Sequence, residues 1–415
     1  MSAIQSIRGF ADMFSPESDA FTFLETNARE VFGRFGFSEL RTPLVEYTDL
    51  FCRSIGTETD VVQKEMYTFP DSKGRSLSLR PEATAGVMRA YIQANRHGQE
   101  AVSKLFTTGP MFRHERPQAG RMRQFHQLNC ECLGAEGPAT DAEMIVMLAH
   151  FLAQVGIAET ELHINSLGCP VCRPRHREAL LAFLQQLDTS RLCEDCRRRM
   201  HTNPLRVLDC KVPTCRELTD KAPRILDHAC PECVQHFETV LALTGAAGVG
   251  HVLDHRLVRG LDYYCRTTFE VVSGKVGAQS SIAGGGRYDG LVRQLGGPAV
   301  PGVGFACGME RLAMLLPCRE QPRPDFYIAT MGEAAQREAF HLACALRAEG
   351  LAGDFSHAGG GFKGQMRQAG KSNARFCCIL GEDEVTAGTV VVKNMDKGTQ
   401  VTVARNAAAQ AMRRK

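Results

Sequence analysis

Eight of the seventeen cysteines in this chain fall between positions 169 and 233, in a stretch rich in basic residues that carries few of the strand patterns found on either side. Such a stretch does not continue the sheet those patterns build. It reads as an inserted, mainly helical module over residues 169–250 that splits a larger domain in two. Cys169-Pro170-Val171-Cys172 and Cys193-Glu194-Asp195-Cys196 are two C-x-x-C pairs with 20 residues between them, which fits a zinc-ribbon-like spacing. Cys210, Cys215, Cys230 and Cys233 supply four more thiols, enough for two tetrahedral sites. Spacing leaves the partnering open. Structural Zn2+ is the expectation, reduced thiols and an iron–sulfur cluster are the alternatives, and a catalytic role is not expected because four thiolates close the coordination shell.

In a small secreted domain so many cysteines would mean disulfides. In a 415-residue chain they are expected as thiols or ligands, and the segment Met1 to Phe14 has no basic stretch followed by an apolar block. A cytoplasmic location is therefore expected. That length also exceeds what one core organises. With 44% hydrophobic and 23% charged residues and no apolar run long enough for a bilayer, the composition fits a soluble globular protein with no membrane partner. The net charge of +3, from 49 basic and 46 acidic side chains, excludes a general affinity for polyanions, so any nucleic-acid contact must use a local patch.

Apolar residues at helical spacing predict a helix over Pro16–Phe35. Residues 103–113 and 124–133 are strand-like and flank the polar loop Glu115–Arg121, which predicts an antiparallel hairpin with a long tip. A helix is expected over Asp141–Val155, with Thr140 and Glu143 forming a capping box. Strand character returns at Tyr264–Val272, and Gly302–Gly308 leads into a helix over Met309–Leu316. Pro317, Pro322 and Pro324 mark a linker. From Asp325 the pattern alternates, with strands at Phe326–Thr330, Phe376–Leu380 and Val390–Lys393 and a helix near 334–348, as in a small α/β domain.

Three clusters carry candidate chemistry. The hairpin reads Arg113-His114-Glu115, then Arg121 and Phe125; a guanidinium fork there can hold a phosphate and an aromatic can stack on a purine, although Arg-x-Glu is also an ordinary surface ion pair. Arg259-Gly260-Leu261-Asp262-Tyr263-Tyr264 and Gly284-Gly285-Gly286-Arg287-Tyr288-Asp289-Gly290 can form a polar pocket, or a tight turn with tyrosines in the core. Gly304 to Arg311 joins a strand to a helix, with Arg311 near the helix start where it can reach phosphates or an adenine face.

In order and spacing these clusters resemble the histidyl-tRNA synthetases. Arg113 to Phe125 is similar to motif 2 of class II synthetases and Gly304 to Arg311 to motif 3. The segments 259–264 and 285–290 resemble the two signatures peculiar to the histidine enzymes, and Leu79-Arg80-Pro81-Glu82-Ala83-Thr84-Ala85-Gly86 matches as well. The resemblance implies an α+β fold: a six-stranded antiparallel catalytic sheet flanked by helices, the inserted module, and an anticodon-binding α/β domain, in four segments (1–168, 169–250, 251–320 and 325–415). It implies a homodimer built partly through motif 1 around Pro43, and the substrates L-histidine, ATP with Mg2+, and tRNA(His). It lends no support to a metal in the cysteine module.

By the same resemblance, Arg113 and Arg259 are the catalytic pair, binding the α-phosphate from opposite sides while Arg259 also holds the histidine carboxylate. Phe125 and Arg311 would sandwich adenine, Glu115 would read its amino group and Arg121 would take the γ-phosphate. Glu82, Ala83, Thr84 and Gln127 would surround the α-ammonium group; Glu131 and Tyr264 would bond the imidazole, with Tyr263 and Tyr288 closing the pocket. In the last domain Lys363, Arg367, Lys371 and Arg375 recur every four residues, although Gly370 is expected to break the helix before the last two align; this is either a phosphate-binding edge or a solvated helix face. Two rivals stand beside this reading, a catalytically silent regulatory paralogue and a class II synthetase for another amino acid.

Overall fold

The computed structural model describes residues 3–57, 59–277, 281–318, 323–357 and 361–413. It divides into two compact units, Met1–Cys318 and Arg319–Lys415. The first contains strands β1 (Ser38–Glu39), β2 (Val45–Tyr47), β3 (Thr68–Pro70), β4 (Ser76–Leu79), β5 (Ser103–Phe112) and β6 (Gln124–Leu133). It continues with β7 (Glu161–Ser166), β8 (Val252–Leu253), β9 (Cys265–Val272), β10 (Ser281–Arg287) and β11 (Gly302–Gly308). The main sheet has the order β1-β5-β6-β11-β10-β9-β7-β8, and β2-β4-β3 form a small antiparallel sheet. The expected six antiparallel strands are β5, β6, β11, β10, β9 and β7; the two-residue strands β1 and β8 extend the edges in parallel.

Strand alternation sorts the two faces of this sheet. Leu128, Cys130 and Cys132 of β6, Val303, Phe305 and Cys307 of β11, and Phe269 and Val271 of β9 belong to one buried core. That core is covered by the helices Glu17–Arg34, Pro138–Gln154 and Pro231–Ala246, which contribute Leu24, Phe32, Ile145, Leu148, Phe151, Phe237 and Val240. Each such large apolar side chain contributes about 1.5–3 kcal/mol on full burial. The positions between them, Gln127, Asn129, Glu131, Gly304, Ala306, Gly284, Thr268 and Glu270, belong to the opposite face.

The helix expected from Asp141 starts earlier, at Pro138 with Gly137 as its N-cap, and Thr140 makes no capping bond. Proline at the first position already starts the helix. Glu143 pairs with Lys104 at 2.7 Å instead of completing a capping box. Asp141 is drawn inward: its carboxylate takes Arg287 of β10 and, at 2.8 Å, His236 of the helix Pro231–Ala246. Arg287 is fully buried and also reaches Asp289 and the carbonyls of Ala135 and Gly137. Thus the arginine of the glycine-rich signature ties one helix, one strand and the end of the cysteine module together.

Among the described residues none from 169 to 250 lies in a strand. The module consists of the helices Cys172–Gln185, Glu194–Thr202, Leu205–Leu208, Pro213–Leu218 and Pro231–Ala246 with short 3-10 turns.

The second unit holds β12 (Phe326–Thr330), β13 (Gly353–Phe355), β14 (Phe376–Leu380), β15 (Thr389–Asn394) and β16 (Gln400–Ala404) in the order β13-β12-β14-β15-β16. The pairings of β12 are parallel and those of β15 antiparallel. The helix Glu333–Ala348 packs Ala335, Ala339, Leu342 and Leu346 onto this sheet. The helix Phe362–Lys371 runs through Gly370, contrary to expectation, so Lys363, Arg367 and Lys371 share it; Arg375 lies beyond and bonds Asp325 at 2.6 Å. A lone glycine one residue from a helix end costs about 1 kcal/mol and does not stop the helix. Of the linker prolines, Pro322 lies outside the described residues.

Candidate functional site

The polar face of the main sheet is deepest where β6, β11 and β10 meet. Along β6, Gln127, Asn129 and Glu131 rise from alternate positions, and their partners on β11 are Gly308, Ala306 and Gly304. On β10, Gly284 lies beside Ala306. A row of polar side chains next to a row with almost no side chain leaves a groove. A Cβ at Gly304 would run into the Glu131 carboxylate, and one at Gly284 into the Arg259 guanidinium. Both glycines are therefore required by close approach.

A cavity of about 70 Å3 sits in this groove, lined among others by Glu82, Thr84, Arg113, Gln127, Asn129, Glu131, Arg259, Tyr263 and Tyr264. Three polar atoms on its wall, Gln127 Oε1, Asn129 Oδ1 and Arg259 Nε, are buried without a hydrogen-bond partner. Buried polar atoms are almost always paired in native proteins, so three orphans around one hollow mark a place built for a polar ligand.

Each wall has a local cause. Glu82 accepts the N–H groups of Thr84 and Ala85 at 2.7 and 2.8 Å, holding the start of the helix Thr84–Gln93, and Ala83 is fully buried at its N-cap. The Thr84 hydroxyl donates to Glu131 at 2.6 Å and the Tyr288 hydroxyl donates to the other Glu131 oxygen. Burial pushes the Glu131 carboxyl up to about 8, against those two donors. Burial likewise raises Glu82, with its backbone donors opposing. Tyr263, Tyr264 and Tyr288 pack against one another in tilted and edge-to-face pairs at 4.6 to 6.3 Å between ring centroids, and Tyr288 is buried in the core. Thus the tyrosines are both packed core and pocket wall. Arg259 bonds Glu270 at 3.3 Å and lies 5.7 Å over the Tyr264 ring.

Arg113 lines this cavity and also a larger cleft of about 380 Å3, shared with Glu115, Arg121, Asp262 and, from the cysteine module, Arg198, Arg199 and Arg206. Its Nε donates to the Pro81 carbonyl at 2.9 Å and its guanidinium lies 5.3 Å over the Phe125 ring. Burial lowers its pKa, helped by Arg259 and opposed by Glu65 and Glu82. Glu115 pairs with Arg121. Arg311 donates to the carbonyls of Gly120, at 3.0 Å, and Ser281, at 2.5 Å, and so pins the tip of the hairpin. Burial lowers its pKa, with Arg121 and Arg113 adding to the effect. The structure thus brings Arg113 and Arg259 onto one cavity, whereas Arg311 and Phe125 line neither that cavity nor the larger cleft. Asp262 and Asp289 leave that cavity, bonding Asn203 and Arg287.

Asn129 escaped the sequence reading. Its signal was the period of two: Gln127, Asn129 and Glu131 alternate with Leu128, Cys130 and Cys132 along one strand.

The family model described as Histidyl-tRNA synthetase matches residues 9–312. The chain belongs to the histidyl-tRNA synthetase family. It is accordingly an aminoacyl-tRNA ligase, and the model described as Anticodon binding domain matches residues 325–415. The histidine–tRNA ligase of Nitratidesulfovibrio vulgaris strain DP4 is 66% identical over 99% of this chain and 98% of its own. That of Oleidesulfovibrio alaskensis is 64% identical over 98% and 99%. Among solved structures, the apo histidyl-tRNA synthetase of S. aureus superposes with a TM-score of 0.83 at 34% identity, covering 99% of this chain and all of that one. No described helix is long and apolar enough to cross a membrane.

Proposed function

We propose that the chain joins L-histidine to ATP as histidyl-adenylate with release of pyrophosphate, then transfers the histidyl group to the 3′ end of tRNA(His), and that the groove on β6, β11 and β10 is where both steps occur. The observation that carries this reading is one cavity lined by Arg113, Arg259 and Glu131 together, three of whose lining residues, Gln127, Asn129 and Arg259, carry a buried polar atom without a hydrogen-bond partner.

Attack of the histidine carboxylate on the α-phosphorus builds charge on phosphoryl oxygens, so catalysis is mostly clamping and neutralisation. Arg113 and Arg259 approach the α-phosphate from opposite sides, Arg259 also holding the carboxylate. Phe125 and Arg311 enclose adenine, Glu115 reads its amino group and Arg121 turns from Glu115 to the γ-phosphate. Mg2+ carried in with ATP would supply charge neutralisation on its phosphates beside Arg113, Arg121 and Arg259. Glu82, with Ala83, Thr84 and Gln127, surrounds the α-ammonium group. Glu131 and Tyr264 pair the two ring nitrogens of the imidazole, Tyr263 and Tyr288 closing the pocket behind them; a site that pairs both nitrogens rejects apolar isosteres strongly. In the second step the adenylate phosphate serves as base, since no side-chain base stands out.

Around this centre we read 1–168 and 251–320 as one catalytic core, 169–250 as its insertion and 325–415 as the anticodon-binding part. The exposed Lys363, Arg367 and Lys371 suit a phosphate backbone. Leu44, Val45, Tyr47 and Phe69 are exposed apolar residues on and beside the small sheet next to Pro43, which favours a homodimer there. The setting is the cytoplasm. No step passes through the cysteines, whose expected structural Zn2+ is a scaffold.

Histidine-dependent ATP–pyrophosphate exchange, run against the other amino acids, tests the reading. Exchange with histidine alone is expected. Absence of exchange would favour the regulatory paralogue, and exchange with another amino acid the other synthetase.

A further inference from the structure

The eight cysteines of the module are all unbridged and gather in two groups, Cys169, Cys172, Cys230 and Cys233, and Cys193, Cys196, Cys210 and Cys215. Within each group the four sulfurs lie within 4.8 Å of one another. We propose that the chain binds two structural zinc ions in nested sites, the outer one clasping the neck of the module and the inner one stapling the lobe that faces the catalytic cleft.

Size decides the ligand class. Sulfurs at 2.3 Å from one tetrahedral zinc stand about 3.8 Å apart, and the sulfur distances here include 3.5 Å for Cys169–Cys172, 4.0 Å for Cys169–Cys230 and 3.8 Å for Cys193–Cys210. A four-iron cube carries its cysteine sulfurs on a wider body than these spacings leave room for. Backbone N–H groups point at the sulfurs, from Cys230 to Cys172 at 3.0 Å and from Cys193 to Cys215 at 3.2 Å, as suits sulfur that carries negative charge.

Need points the same way. The inner lobe has a small core of its own, in which Cys196, Cys210 and Cys215 share the interior with Leu180, Leu184, Leu192, Met200, Val207 and Leu208. So small a core is the kind that needs a staple. That lobe holds the mouth of the catalytic site: Arg206 donates to the Arg259 carbonyl at 3.1 Å, Asn203 to Asp262 at 2.9 Å, and Arg199 to Asp60 at 3.2 Å. At the outer site Arg173, beside Cys172, donates to the Tyr264 carbonyl at 3.2 Å. The metals are therefore positioning elements for the loop that carries Arg259 and the tyrosines.

Metal analysis of the full chain, purified without chelator, tests this independently of any activity. Two zinc ions per chain are expected, and Co2+ exchange should give the intense visible bands of tetrahedral four-sulfur sites. The double variant Cys169→Ser/Cys230→Ser should keep one ion under the nested pairing, whereas a crossed pairing would leave none. Replacing the exposed Cys318 by serine should leave both. Should the double variant fail to fold, two equivalents of tetrahedral Co2+ in the unaltered chain still support the sites. Metal-free protein, iron in place of zinc, or octahedral Co2+ would overturn the proposal.

Discussion

Burial opposes the charge of Arg259, and Tyr264, Glu270 and Tyr263 more than restore it, so its pKa is raised. A guanidinium kept charged against a cavity wall is a preorganised partner for a developing oxyanion, and losing one such donor costs about 10²–10³-fold in rate. Arg259→Ala should slow histidine-dependent pyrophosphate exchange by about that factor; near wild-type exchange would remove Arg259 from the mechanism. Asn129→Ala should raise KM for histidine about tenfold, the effect of one lost hydrogen bond, with kcat changed less. Glu131 offers a pH test. Its carboxyl stands at about 8 in the fold against an ordinary 4.5, so the stability it contributes is complete below about 4.5 and is lost as pH rises through about 8. Glu131→Gln should therefore gain on the wild type in thermal melts as pH rises over that window, by on the order of a few kcal/mol at the alkaline end. A gap that stays constant with pH would show that Glu131 is not the group concerned. Arg113 and Arg259 could be expected on one site because they sit in motifs distinctive in type and order, whereas Glu131 lies outside those motifs and was expected only through the family resemblance. Asn129 was not, because one asparagine between Leu128 and Cys130 reads as nothing until the strand's period is counted.

Between elements, the buried ion pair of Asp141 and Arg287 joins the helix Pro138–Gln154 to β10, with His236 bringing in the last helix of the module. Burial alone would raise the Asp141 pKa; His236 and Arg287 reverse this and keep it ionised. Arg287→Met strips the carboxylate of its main partner and should cost about 3–5 kcal/mol in urea unfolding. A loss under about 1 kcal/mol would mean the pair is dispensable. Elements were easiest to read where an apolar run is sharply bounded: β12 and β14 match expectation to the residue, each starting directly after a charged residue, Asp325 and Arg375. The start of the helix at Pro138 was misread because Thr140 and Glu143 mimic a capping box that the proline pre-empts. The two-residue strands β1 and β8 carry no readable period, and tertiary pairing alone creates them.

At the scale of the chain, the division into units at Cys318 and Arg319 follows a proline-marked boundary that sequence displays. The nesting of the two cysteine groups did not follow from spacing, since nested and crossed pairings use the same residues and only the fold chooses between them. If the last unit grips RNA, Lys363→Glu/Arg367→Glu/Lys371→Glu should weaken tRNA charging through KM and flatten its salt dependence, while exchange without tRNA stays unchanged. Equal loss of both activities would point to misfolding instead. All of this rests on three arginines remote in sequence meeting around one nucleotide beside a pocket for an imidazole. A crystal structure with ATP and histidinol tests that most directly. The α-phosphate should lie between Arg113 and Arg259, adenine between Phe125 and Arg311, and the imidazole on Glu131; a nucleotide bound away from these arginines, or an imidazole that does not touch Glu131, would contradict it.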